Sequence, residues 1–187
     1  MQMKRMVLVL CVVALLCGCS TEDGISEALR LRSDLHNSST CSFDATILAD
    51  YGDRTYRFVL SCVAAKGGDM TFVVKEPESI SGITGKLSRE GGALTFDDVA
   101  LYFPMLAEEL ITPVAGPWAF LTALSSGYMQ SAGEDGVYTR MMIRDSFQDR
   151  ALSLDIWLDE ANVPVQADVI WENRRILSMQ IRNFVLS

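Results

Sequence analysis

A lone histidine, His36, is all that this chain offers toward imidazole chemistry. A nucleophilic triad or a histidine-based metal site needs more, so His36 reads as a solvated or helix-capping residue. Ser125-Ser126-Gly127 lacks the Gly-x-Ser-x-Gly elbow that would anchor hydrolase chemistry. Positive charge is scarce as well: 16 Lys and Arg stand against 24 Asp and Glu, a net charge of −8. Such a surface repels phosphate backbones and disfavours flat adhesion to anionic head groups, which argues against a nucleic-acid partner. The acidic pairs Asp97-Asp98, Glu108-Glu109, Glu134-Asp135 and Asp159-Glu160 do not show the alternating ligand spacing of a calcium loop. No catalytic, metal or cofactor motif is present, and the chain is read as a non-enzyme. Internal repeats, low-complexity tracts and signs of a second domain are missing too.

The apolar run from Met6 to Leu16 is too short to span a bilayer. It follows Lys4 and Arg5, which makes residues 1–18 a secretory signal with a basic start and an apolar middle. Its end is informative. Leu16-Cys17-Gly18-Cys19 resembles the bacterial lipobox, which implies cleavage after Gly18 and a lipid on the thiol of Cys19. The expected product is exported and lipid-anchored on the extracytoplasmic face of a cell membrane. Cleavage removes two of the 16 basic side chains and leaves 14 against 24 acidic ones, a net charge of about −10. Acyl chains, not surface charge, must therefore supply membrane affinity, at roughly 0.8 kcal/mol per buried methylene. Residues 19–24, small or acidic after the cysteine, read as a lipidated tether, and 25–187 as one domain.

Ile25 to His36 fits an amphipathic helix with Ile25, Ala28, Leu29 and Leu35 near one face. Strand patterns follow. Cys41-Phe43-Ala45-Ile47 alternate with polar residues, as do Tyr56-Phe58-Leu60-Cys62 beyond the Tyr51-Gly52-Asp53 turn. Met70–Lys75 ends before Pro77, and Ile80–Arg89 and Ala93–Phe103 flank a hairpin signal at Gly91-Gly92. Pro117 opens a helical spacing over 117–125, and strands resume at Val137–Arg144, Leu152–Leu158, Val163–Trp171 and Ile176–Val185. The fold class is α+β and mostly β: roughly nine or ten strands with two short helices imply a large antiparallel sheet, which must curl or split to protect its edges.

This succession resembles the LolA/LolB-type fold of bacterial lipoprotein carriers and their relatives. The resemblance lies in Ala28–Asp44, in Phe72–Pro77 and in Leu154–Trp171 with its Asp-Glu-x-x-x-Pro-Val turn. It implies that the sheet is a strongly curved half-barrel, covered by the two short helices, around an apolar cavity that accepts acyl chains. Some lipid-anchored relatives in endospore-formers instead serve as partners of cell-wall enzymes during germination. A tethered chain is a receptor or stationary binder rather than a released shuttle. Two functions follow as expectations. One is binding of a lipid or an acylated lipoprotein in a cavity under the helices. The alternative is a scaffold for a peptidoglycan enzyme, docking through a strand edge or the Pro104–Pro117 segment.

Two short helices over so wide a sheet either close the core or leave room for a hydrocarbon chain. The lining expected on the helix is Phe120, Leu121 and Leu124. Met141 or Met142 would face them from a strand, and only one of the two can point inward. Of five cysteines, Cys41 and Cys62 remain in the domain unmodified by lipid. If residues 50–53 form the first hairpin loop, Ala49 faces Arg54 and Cys41 falls opposite Cys62. The pair is expected to form a disulfide, which would stabilise the fold by roughly 3 kcal/mol in the loop-entropy picture.

Overall fold

The computed structural model describes residues 21–96, 99–104, 106–107, 110–147 and 151–187. The signal, Cys19 and the pairs Asp97-Asp98 and Glu108-Glu109 lie outside them. Helix α1 spans Thr21–Asn37 and is followed by β1 (Thr40–Asp50), β2 (Thr55–Ala65) and β3 (Met70–Glu76). Next come β4 (Thr84–Ser88), β5 (Gly91–Phe96), β6 (Val99–Phe103) and a small pair, β7 (Leu106–Ala107) with β8 (Leu110–Ile111). Helix α2 spans Gly116–Ser126, and β9 (Tyr128–Asp135), β10 (Tyr138–Arg144), β11 (Ser153–Leu158), β12 (Pro164–Trp171) and β13 (Arg174–Leu186) complete the chain. The main sheet is an open, curved, antiparallel set of eleven strands in the order β6-β5-β4-β3-β2-β1-β13-β12-β11-β10-β9. The half-barrel read from the sequence is therefore the architecture found.

Alternation decides which face is buried. Phe43, Ala45, Ile47 and Ala49 of β1 point inward with Leu60 and Cys62 of β2, Phe72 and Val74 of β3 and Leu177 and Met179 of β13. Helix α2 seats on this centre. Phe120 is fully buried and meets Phe43 edge-to-face, with ring centroids 5.7 Å apart. At its start, a Cβ on Gly116 would crowd Leu177 and Met179, so the missing side chain lets the helix lie close to β13.

Helix α1 covers the β9–β10 end, and here the sequence reading needs two corrections. The helix includes residues 21–24, which lie in the stretch read as tether. Its buried stripe is Gly24, Ala28 and Leu31, with Leu35 half-buried, while Ile25 and Leu29 are exposed. Backbone approach is the reason: a Cβ on Gly24 would sit 3.0 Å from the amide nitrogen of Gly133 in β9. The glycine therefore fixes which face of the helix packs.

Other differences are in register. The stretch 93–103 is not one strand: Phe96 pairs with Val99, so the chain reverses there, and the preceding turn lies at Arg89-Glu90 rather than at the glycines. The first hairpin also moves. Asp50 pairs with Thr55, which places Cys41 opposite Ala64 and Cys62 opposite Phe43. An Asx turn holds this register: the Asp50 carboxylate accepts the Gly52 N–H at 2.8 Å, and the Tyr51 N–H donates to the Arg54 carbonyl at 3.0 Å. The two cysteines become diagonal neighbours, and both are free, buried thiols.

Burial pushes the Cys41 thiol up from 9.0 to about 12. Burial raises Cys62 as well, helped by the nearby Asp44 and Cys41. Tyr51, whose hydroxyl donates to the Ile111 carbonyl at 2.7 Å, is pushed up to about 12 by burial and then by Tyr56. Each group is an acid with a folded pKa above its unfolded value. Their contribution to stability is thus intact below the unfolded range and is lost as pH climbs through 9–12. We expect alkylation to modify neither thiol in the native protein at pH 8 and both after unfolding, read as two mass additions. A Cys41→Ala/Cys62→Ala variant should lose less stability between pH 9 and 12 than the parent. One disulfide mass in place of the two additions would restore the bridge.

Candidate functional site

A cleft of about 320 Å³ opens at the end of the sheet where α1, α2 and the β2–β3 turn meet. Its back is made by the two helices, locked together by charge. Arg32 of α1 donates from Nε to the Leu124 carbonyl at 2.8 Å and from Nη2 to the Gly127 carbonyl at 3.0 Å. One turn further along α1, His36 donates from Nε2 to the Ser125 carbonyl at 3.0 Å, since a carbonyl can only accept. A guanidinium and an imidazole thus satisfy the open carbonyls of the α2 C-terminus, where the helix dipole favours positive charge. Burial lowers the Arg32 pKa, yet a guanidinium stays charged at neutral pH. His36 is exposed and caps the C-terminus of α2 rather than that of its own helix.

The opposite wall is the turn Lys66–Asp69. Gly67 and Gly68 adopt φ of +113° and +95°, a region that glycine enters freely, and the Gly68 carbonyl accepts the Trp118 Nε1–H at 2.8 Å. That bond ties the hairpin to α2 across the cleft mouth. The floor is apolar: Cys41, Ala64 and Met70 come from three successive strands and Leu121 from α2, all buried. Leu35 and Trp118 flank it, and Ser38, Ser39, Ser125 and Ser126 make a hydroxyl edge.

Of the five lining residues expected from sequence, the structure brings Leu121 to this cleft. Phe120, Leu124 and Met141 are packed in the core, each at most 1% exposed. Met142 faces the other side of the sheet and is 40% exposed, so Met141 is the inward methionine of the pair. Sequence reasoning missed the Lys66–Asp69 wall, Arg89 and the part played by Cys41. These residues come from separate hairpins, and only a pair of glycines at a turn hinted at them.

Of the acidic pairs that are described, Asp135 and Asp159 have local duties. Asp159 accepts the Ala161 and Val163 amides at 3.0 and 2.9 Å and so closes the β11–β12 turn, and Asp135 accepts the Trp157 Nε1–H at 2.8 Å. Two carboxylates not singled out by spacing, Asp155 and Asp168, sit opposite each other, buried, on the outer face of β11 and β12. Arg140 pairs with the first, while Arg175 and the Ser178 hydroxyl bind the second at 3.2 and 2.8 Å. Among the described residues, no group of three His, Cys, Asp or Glu side chains converges as a metal site would require.

No protein-family model and no characterised protein matches the sequence. Solved structures do resemble its chain path. One is a conserved protein of Thermus thermophilus, with 9% identity over 86% of this chain and 87% of that one, and a TM-score of 0.47. A LolA superfamily protein of Nitrosomonas europaea shows 9% identity over 86% and 93%, with a TM-score of 0.44. The Mycobacterium tuberculosis lipoprotein LppX shows 9% identity over 86% and 91%, with a TM-score of 0.40.

Proposed function

We propose that this chain is an exported, lipid-anchored, non-catalytic protein of the cell envelope that binds one acyl chain in the cleft between α1, α2 and the β2–β3 turn. The observation that carries the reading is the cleft's construction: an apolar floor with polar walls, about 320 Å³ in volume. That size lies at the small end of ligand pockets, which suits a single chain rather than a bundle of them. The anchor rests on the Leu16-Cys17-Gly18-Cys19 motif. Helix α1 includes Thr21, two positions beyond Cys19 in the sequence.

Two measurements test this. Native mass spectrometry of the purified protein should show a co-purifying lipid, and Leu121→Glu should abolish it by placing a charge on the floor. A melting curve distinguishes lost binding from lost folding, and retention of lipid by a folded Leu121→Glu protein would overturn the assignment. Separately, Cys19→Ala should release the protein from membranes or leave its signal uncleaved. Normal processing with unchanged membrane attachment would remove the anchor from the proposal.

A second reading has an observation of its own. Strand β6 ends the sheet among the described residues, where one side of its backbone has no strand partner, and Val99, Leu101 and Tyr102 are 65–79% exposed. Phe96 beside them is exposed too. Apolar edge strands pair readily with a strand from elsewhere, which suits a scaffold for an envelope enzyme. Loss of a co-purifying protein on Leu101→Lys, with bound lipid undisturbed, would favour that role.

A further inference from the structure

The rim of the cleft runs against the charge of the whole chain. The protein carries a net charge of −8, yet the charged side chains lining the cleft, besides His36, are Lys66, Arg89 and Asp69. Asp69 is already committed, because its carboxylate bonds the Lys86 ammonium at 2.8 Å. That contact raises the Lys86 pKa, chiefly through the hydrogen bond. Among the described residues, Lys66 and Arg89 have no carboxylate partner. Two turns, β2–β3 and β4–β5, thus hold two unmatched cations at the mouth of an apolar-floored cleft. Arg57 and Arg174 are paired with Glu76 and Asp50, and what sets Lys66 and Arg89 apart from other unpaired surface cations is their place together at the cleft mouth.

We infer that the cleft selects an anionic single-chain amphiphile, its carboxylate or phosphate head at Lys66 and Arg89 and its hydrocarbon on Cys41, Met70 and Leu121. This rests on the acyl-binding reading above and adds the head group to it. The charge complementarity is local: a low-dielectric floor strengthens attraction at the mouth, while the acidic surface around it repels anions that lack a chain to bury. A neutral amphiphile would gain the floor without the rim, and a cationic one would meet repulsion there. Arg89 suits either head because its planar fork pairs with both carboxylate and phosphate.

Trp118 borders the cleft and gives the readout. The chain is exported behind a cleavable signal with Cys19→Ser and purified without detergent, and brominated dodecyl probes are titrated against its fluorescence. The probes carry a carboxylate, a phosphate, an alcohol or a trimethylammonium head; Trp118→Phe defines the background from the other tryptophans. Dodecanoate and dodecyl phosphate are expected to bind about tenfold more tightly than dodecanol, the sum of two partly exposed ion contacts. The ammonium probe should bind most weakly. Lys66→Gln/Arg89→Gln should bring both anions down to the alcohol's affinity and leave the alcohol unchanged. A preference confined to one anion assigns the head as a carboxylate or as a phosphate. Equal binding of anion and alcohol, or a preference that survives the double substitution, overturns the head-group inference and leaves the acyl-binding reading intact. Quenching by none of the four probes sinks both.

Discussion

Phe120→Ala is expected to remove roughly 3–5 kcal/mol of stability, a large share of the about 5–15 kcal/mol that holds a domain folded. Phe120 is fully buried and leans edge-on against Phe43, whose ring also lies 6.0 Å from that of Phe184 near the end of β13. Truncation would leave a void between α2 and the centre of the sheet, where Gly116 already holds the helix close to Leu177 and Met179. Neither wall can collapse far, because eleven hydrogen-bonded strands fix one side. Leu121 provides the contrast. It borders the cleft, so Leu121→Ala enlarges a space that already exists and should cost less, about 1–2 kcal/mol. Urea unfolding of the two variants measures the difference as a shift in midpoint at constant slope. If Leu121→Ala costs as much as Phe120→Ala, the cleft is closed in solution and the acyl-binding proposal loses its basis. Adjacent residues on one helix turn would thus have separable duties, one holding the fold and one facing the ligand.

How far the sequence carries differs from element to element for physical reasons. Strand β11 is legible because its inner face is apolar, so Leu154, Ile156 and Leu158 alternate with Ser153, Asp155 and Trp157, although Asp155 is itself buried in its pair with Arg140. Helix α2 announces itself through Pro117 at its first turn and Gly127 after its last. Strand β9 escapes notice: it is the far edge of the sheet, mostly exposed, and its Gln130-Ser131 segment carries no apolar period. The orientation of α1 is not readable from periodicity, since Ile25 and Leu29 form an apolar stripe as plausible as the one that packs. Contact of Gly24 with the β9 backbone decides it, and that contact spans more than a hundred residues. The cleft is hidden for the same reason. Cys41, Met70, Arg89 and Leu121 share no spacing and meet only after the strands have paired.

Two glycines in paired strands separate a locked part of the sheet from a yielding one. Gly85 on β4 lies opposite Phe72 of β3, and Gly92 on β5 lies opposite Phe103 of β6. In each pair the aromatic ring occupies the space that a Cβ would need, well inside van der Waals distance. Phe72 is 1% exposed and enclosed by the core, so Gly85→Ala cannot be relieved by turning the ring toward water. Overpacking of this kind costs about 1–3 kcal/mol, and displacement of the ring would also disturb the β4–β5 hairpin that carries Arg89 to the cleft. Phe103 is half-buried on the edge strand, and its ring can swing outward, so Gly92→Ala should cost a small fraction of that. Thermal unfolding of both variants measures the ratio, and anion binding by the Gly85→Ala protein should weaken together with its stability. Equal melting temperatures for the two would mean that the Phe72 ring has room to move, and the β3–β4 end of the core would then be looser than its burial implies.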